Sequence, residues 1–264
     1  MQKTFTTYSA AFLLFITLFL SFTAHQKNEL WKDDLRLWKD MAAKSTQKAR
    51  VYHNLGLAYY NQGQLDDAIR EYRTAIELSP DDSETHHNLG VAYYKKGLFN
   101  DAIKEYTTAQ NLNPGSIYVY INMANAYMDL GRLDDAIKKY LFAIVLKPDY
   151  PEAHYGLGIA YYKKGDMQKA IQAYSAALKI NPDYADAHNN LGSAYYQQGL
   201  LDEAIKEYLT ALKLNPRNAI THYNLGIVYS KKGLTDMARN ELEKTLRLSP
   251  DYLPAQKALE SLRE

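Results

Sequence analysis

The stretch HNLGVAYYKKGLFNDAIKEY, residues 87–106, holds the pattern that decides the fold. Its core, N-L-G-x-A-Y-Y, recurs with minor variation at Asn54, Asn88, Asn190 and Asn224, so the spacing is 34 residues or a multiple of 34. Counting from Ala49 gives six copies without an insertion: 49–82, 83–116, 117–150, 151–184, 185–218 and 219–252. Self-similarity at a fixed period is the sequence signature of a repeat architecture. The sequence therefore predicts an array of six similar units.

Each copy predicts two helices joined by a tight turn. With the first residue of a copy as place 1, glycine occupies place 15, where a left-handed residue can end the first helix. Alanine occupies place 20, and place 24 is a large ring in five copies and Leu242 in the sixth, so the second helix carries a small and a large apolar residue on one face. Proline at place 32 stops the second helix, because proline lacks the amide hydrogen and restricts the preceding residue. The glycines are Gly63, Gly97, Gly131, Gly165, Gly199 and Gly233.

These places resemble the tetratricopeptide repeat signature, and the resemblance covers 49–252 of the 264 residues. It implies an all-α fold: a right-handed α-solenoid, or superhelix, of helix-turn-helix units. Two departures stand out. The third copy carries Met123 and Ala124 where the signature has Leu-Gly. Place 4, usually aromatic, is histidine in four copies, namely His86, His154, His188 and His222.

The ends of the array need caps, because a single unit cannot bury both of its faces. Residues 253–264 place Ala255, Leu259 and Leu262 on one stripe, which predicts a capping helix. Residues 25–48 are predicted to be a linker with a capping half-repeat helix. The apolar positions of that helix are Trp31, Leu35, Trp38 and Ala42.

The amino-terminal segment, residues 1–24, predicts a membrane association. Thr4 to Ala24 contains no charged residue, and a helix of this length spans about 30 Å, enough for a bilayer. We predict an uncleaved signal anchor that leaves the repeats outside the cytoplasm, in the periplasm if the source is bacterial. The alternatives are a signal peptide whose removal would give a secreted protein, and a buried helix of a soluble protein.

Composition argues against several other classes of function. The 31 basic and 30 acidic residues give a net charge of +1 and form no block that could hold a nucleic acid backbone. There is no cysteine, which excludes disulfides and thiolate metal sites. Six of the seven histidines fall at places 4 and 5 of the repeat, so their spacing follows the architecture. We predict no metal site, no cofactor and no catalytic activity.

The candidate binding residues lie on the first helices, which the resemblance places on the concave face of the superhelix. Place 6 forms a ladder of asparagines that Gly156 interrupts in the fourth copy. An asparagine side chain has one acceptor oxygen and two N–H donors, so a ladder could hold an extended peptide backbone or, alternatively, bond neighbouring helices to one another. The predicted peptide-binding residues are Asn54, Asn88, Asn122, Asn190 and Asn224 at place 6, His53, His87, Tyr155 and Tyr223 at place 5, and Lys95, Lys163 and Lys231 at place 13.

The predicted function is a non-enzymatic scaffold or adaptor at the cell envelope that binds peptides or proteins in this groove. One alternative is a self-assembling structural protein, since repeats with matching ends can stack chain on chain. Another is an accessory subunit of an envelope glycosyltransferase or secretion complex.

Overall fold

The computed structural model describes residues 34–45 and 47–262, and all regular structure in that part of the chain is α-helical. The fourteen helices of this part are α1 (34–44), α2 (Ala49–Asn61), α3 (Leu65–Leu78), α4 (Ser83–Lys95), α5 (Phe99–Leu112), α6 (Ile117–Asp129), α7 (Leu133–Leu146), α8 (Pro151–Lys164), α9 (Met167–Ile180), α10 (Ala185–Gln197), α11 (Leu201–Leu214), α12 (Ala219–Lys231), α13 (Thr235–Leu248) and α14 (Leu253–Ser261). Helices α2 to α13 form six consecutive pairs, one in each 34-residue copy. The predicted all-α solenoid fold is confirmed.

The chain divides into two compact units, Met1–Pro114 and Gly115–Glu264. In unit 1, α2 packs against α3, α3 against α4 and α4 against α5. In unit 2 the same succession runs from α6 to α14, each helix against the next. Within each unit, therefore, a second helix contacts both the first helix of its own copy and the first helix of the following copy.

The turn between the two helices of a copy depends on a left-handed glycine. Gly165, at the end of α8, has φ of +86°, a conformation that costs other residues energy. Its amide donates to the carbonyl of Tyr162 at 3.0 Å, and the next amide, of Asp166, donates to the carbonyl of Tyr161 at 3.0 Å. These bonds satisfy carbonyls at the end of the helix. The turn predicted at place 15 is confirmed.

The two helices of a copy meet where the ring at place 24 lies on the glycine at place 8. A Cβ atom added to Gly158 would stand 2.5 Å from both Cδ1 and Cε1 of Tyr174. Tyr174 is 1% exposed, and the alanine at place 20, Ala170, is fully buried. The ring therefore fills a space that any side chain at place 8 would obstruct, and the same contact joins Gly56 to Tyr72, Gly90 to Tyr106 and Gly192 to Tyr208.

Helices cover both ends of the array. Leu35 of α1 is buried in a cluster with Leu55, Ala58 and Tyr59 of α2, and Trp38 packs against the same cluster. At the other end, Ala255 of α14 is fully buried. The apolar segment predicted to be an anchor, and Trp31, lie outside the described residues. Among the helices of 34–45 and 47–262, none is both long enough and apolar enough to cross a membrane.

The histidines at place 4 connect consecutive copies. In three of them, Nε2 donates to the proline carbonyl that ends the preceding copy and Nδ1 meets a glutamate of the same copy. Each ring nitrogen therefore faces an oxygen that can accept a hydrogen bond. The Nε2 distances are 3.0 Å for His86 to Pro80, 3.0 Å for His188 to Pro182 and 3.1 Å for His222 to Pro216. The Nδ1 distances are 2.7 Å to Glu105, 2.6 Å to Glu207 and 2.6 Å to Glu241, respectively.

Replacing one of these histidines by phenylalanine keeps the ring and removes both hydrogen bonds. We expect His188→Phe to lower the free energy of unfolding by about 2–3 kcal/mol, because it leaves a largely buried glutamate and a carbonyl unpaired. Thermal and urea unfolding followed by circular dichroism measure the loss. His154→Phe is the matched control: His154 bonds to the carbonyl of Pro148, at 2.8 Å, and Ala173 stands where the copies of His86, His188 and His222 have glutamate. Equal losses in the two variants would contradict the role given to Glu207.

Candidate binding surface on the first helices

Polar side chains of three consecutive first helices in unit 2 are joined by hydrogen bonds. Asn190 Nδ2 donates to Tyr155 Oη at 3.0 Å, which ties α10 to α8. Asn224 Nδ2 donates to Asn189 Oδ1 at 3.3 Å, which ties α12 to α10. Thr221 Oγ1 donates to the same oxygen at 3.0 Å, and Asn189 Nδ2 donates to Asn190 Oδ1 at 3.2 Å. These side chains form one connected row, and the asparagines at place 6 bond neighbouring helices here.

The row remains partly open to solvent and carries aromatic rings beside it. Tyr155, Asn189, Asn190 and Asn224 are each half-buried. The ring of Tyr155 lies 4.8 Å from that of Tyr184, and desolvation raises the pKa of Tyr184 to about 12. Burial also raises the pKa of Tyr155, so both hydroxyls are neutral donors near pH 7.

Two further predicted residues lie on α12 in this unit. The ring of Tyr223 meets the ring of Tyr252 edge to face at 5.2 Å, and it too is half-buried. Lys231 is exposed, with its ammonium 4.8 Å above the ring of Tyr196. Both keep solvent-facing surface on the same helix as Asn224, so aromatic and cationic groups accompany the amides.

Gly156 interrupts the asparagine ladder for a reason that lies in the third copy. Ala124 occupies place 8 there, where the other five copies have glycine. The hydroxyl of Tyr140 donates to Asn125 Oδ1, and its ring lies so close to Gly156 that an added Cβ would stand 2.4 Å from Cε1. The ring therefore occupies the space that a side chain at position 156 would need. Asn122, the ladder residue of the third copy, is half-buried on α6.

This coupling can be tested by restoring the ladder. We expect Gly156→Asn to destabilise the chain by about 1–3 kcal/mol, because the added side chain overpacks against Tyr140. Adding Ala124→Gly should recover most of that loss, because a glycine at place 8 gives the ring of Tyr140 room to move away from position 156. Urea unfolding of the two single variants and the double variant gives the interaction energy. Simple additivity of the two changes would contradict the explanation.

In unit 1 the predicted residues lie on α2 and α4. His53 Nδ1 donates to Thr85 Oγ1 at 2.7 Å, and Thr85 in turn donates to Asp82. His53 and Asn54 line an open polar cleft of about 440 Å³, together with Ala49, Arg50, Ser79, Asp82 and Glu84. The cleft brings together two of the predicted residues and two carboxylates.

The other three predicted residues of unit 1 lie on α4. Burial lowers the pKa of His87, whose ring lies 5.8 Å from that of Tyr106. Asn88 is half-buried and Lys95 is exposed at the end of the helix. None of the three is among the residues that line the cleft.

A second cleft, of about 260 Å³, lies in unit 2 between α8 and α10. Its lining residues are Ile159, Tyr162, Lys163, Tyr174, Asn190 and Ser193. Lys163 and Asn190 were predicted from the sequence, whereas Ile159, Tyr162 and Ser193 were not singled out. The signal that could have found Ile159 and Ser193 is variation within the repeat: place 9 is isoleucine in the fourth copy and serine in the fifth.

The chemistry of these surfaces is that of hydrogen bonding, aromatic contact and weak positive charge. No group of three potential metal ligands occurs within residues 34–45 and 47–262. In the same part of the chain, every buried side-chain nitrogen and oxygen has a hydrogen-bond partner. The assembled side chains are suited to non-covalent binding of a polar, extended ligand.

Comparison with protein families agrees with the architecture. A family model described as TPR repeat matches residues 56–97, 124–165, 160–199 and 192–233, and two models described as tetratricopeptide repeat match 83–116 and 219–252. Comparison with curated protein sequences gives no match.

Several solved structures share the fold. A chain of the APC/C hetero-tetramer Cut9–Hcn1 has a TM-score of 0.70 and 25% identity over 88% of this chain, which spans only 46% of that one. MamA has a TM-score of 0.59 and 33% identity, covering 61% of this chain and 95% of its own. PilF of Pseudomonas aeruginosa has a TM-score of 0.70 at 20% identity, covering 81% of this chain and 97% of its own. At that identity, the likeness to PilF shows the fold alone.

Proposed function

Because this chain belongs to the tetratricopeptide repeat family, whose members are generally non-catalytic interaction modules, we propose that it is a scaffold that binds an extended segment of a partner protein. The binding surface is the row on α8, α10 and α12, with Tyr155, Tyr223 and Lys231 beside the amides. One observation carries the proposal: the side chains of this row are held in place by one another yet remain half-exposed.

Such a row loses little side-chain entropy when a ligand binds, because its rotamers are already fixed. Asn224 uses one N–H in its bond to Asn189, so its second N–H can meet a carbonyl of an extended backbone. Each such bond adds about 0.5–1.5 kcal/mol net, so a few of them give micromolar rather than nanomolar affinity. A row of this kind holds a backbone, and the neighbouring rings and lysines select among side chains.

Site-specific photocrosslinking in the native cell tests the surface. A photoreactive residue replaces Tyr223 in the full chain, and in a parallel variant it replaces Lys213, an exposed residue of the second helix α11. We expect a protein adduct at position 223 and none at position 213. Lys231→Glu, combined with the label at 223, should weaken the adduct, whereas Lys213→Glu, a matched charge change, should not. Adducts of equal strength at both positions would place the partner elsewhere, and none at either would sink the proposal for these helices.

We further propose that the repeats lie outside the cytoplasm, attached to a membrane through residues 1–24. The support is the uncharged run from Thr4 to Ala24. A phosphatase reporter that folds only outside the cytoplasm, fused after Glu264, should be active in the full chain. Activity should disappear when residues 4–24 are deleted. An inactive reporter on a stable full-length fusion would overturn this location.

A further inference from the structure

The cleft between α8 and α10 has the size of a single side chain. Its volume, about 260 Å³, lies below the range of about 300–1,000 Å³ that small-molecule sites occupy. Ile159 of α8 and the ring of Tyr174 of α9 contribute apolar lining, and Asn190 and Ser193 of α10 form the opposite wall. The cleft adjoins the hydrogen-bonded row, since Asn190 belongs to both.

The polar atoms in that wall are already paired. Asn190 donates to Tyr155 and accepts from Asn189. Ser193 Oγ donates to the carbonyl of Asn189 at 3.1 Å and lies 3.0 Å from the hydroxyl of Tyr208, which donates to it. An apolar group that enters the cleft therefore deprives none of these atoms of a partner, and it gains the free energy of leaving water.

A cation without an anionic partner borders the cleft. Lys163 is exposed and forms no ion pair within the part of the chain that the structure describes, whereas the adjacent Lys164 pairs with Asp134. An exposed ammonium attracts a carboxylate modestly, and the attraction adds selectivity more than affinity. The cleft thus combines an apolar lining with the unpaired positive charge of Lys163 at its edge.

The helices on either side of this cleft lack the combination. At the preceding step the ring of Tyr140 lies against Gly156, and Asp129 occupies the place of Lys163. At the following step Gln197 occupies that place. A ligand that needs both the cavity and the cation has one register on these helices.

We infer that this cleft binds a bulky apolar side chain that is followed in the partner's chain by an aspartate or glutamate. The inference rests on the proposed function and adds the class of segment that the scaffold selects. The apolar side chain enters between Ile159 and Tyr174, and the following carboxylate meets the ammonium of Lys163. The asparagine row then holds the backbone on one side of that pair.

Three capped hexapeptides serve as probes: Gly-Ser-Leu-Asp-Ser-Gly, the same peptide with Lys in place of Asp, and the same peptide with Ala in place of Leu. Each is titrated into the isotope-labelled full chain in a membrane mimetic, and the backbone amide signals of Asn190 and Ser193 are followed by NMR. We expect the Leu-Asp peptide to move these signals with the highest affinity. The Leu-Lys peptide should bind about threefold more weakly or worse, and the Ala-Asp peptide about tenfold more weakly.

A charge reversal makes the test specific to Lys163. In Lys163→Glu the order of the two leucine peptides should invert, so that Leu-Lys binds more tightly than Leu-Asp. The matched control is Lys179→Glu, an exposed lysine on α9, which should keep the original order. Both lysines are exposed, so folding is expected to be retained, and circular dichroism confirms it.

Equal affinities for the three peptides, or an unchanged order in Lys163→Glu, would overturn the inference. Neither result contradicts the proposed function, because a photocrosslink at position 223 would still report a partner on the row. Conversely, if that crosslink is absent while the peptide preferences hold, the proposed function fails and the peptide selectivity of the cleft remains.

Discussion

The contact between a large ring and a backbone that lacks a Cβ joins the two helices in four of the six copies. Where place 8 is glycine, the ring at place 24 lies directly on the first helix, and a fully buried alanine at place 20 lets the second helix approach closely. That approach brings place 6 of one copy within hydrogen-bond distance of place 5 of the preceding copy, as in Asn190 and Tyr155. The polar row is thus a consequence of the core contact beneath it.

The third copy shows how a core ring limits the surface. The ring of Tyr140 lies against position 156, and Gly156 is the residue that fits there. An asparagine is therefore missing from the ladder at this position, and the row of hydrogen-bonded side chains begins at Tyr155. At this position the surface chemistry follows the packing of the layer below.

The asparagines use the same side-chain atoms for hydrogen bonds within the protein and for the proposed bonds to a ligand. Substituting them therefore cannot separate the two roles. Alanine at position 190 would break bonds to Tyr155 and Asn189 along with any bond to a peptide. Lys163 and Lys231 are more informative because they are exposed, and neither forms an ion pair within residues 34–45 and 47–262. By contrast, the contacts of the histidines at place 4 are wholly internal. His188, for example, bonds to Glu207 and to the carbonyl of Pro182.

The sequence by itself determined the repeat, the helix pairs and the helices that carry the candidate residues. Its signals are local, a left-handed glycine at place 15 or a proline at place 32, and sixfold repetition makes them unambiguous. Only the tertiary structure decided what those residues contact. Asn190 and Tyr155 are 35 positions apart, so their bond exists only once two copies have packed. The cleft at Lys163 likewise depends on three helices at once, and its lining runs from Ile159 to Ser193, one residue more than a 34-residue window holds.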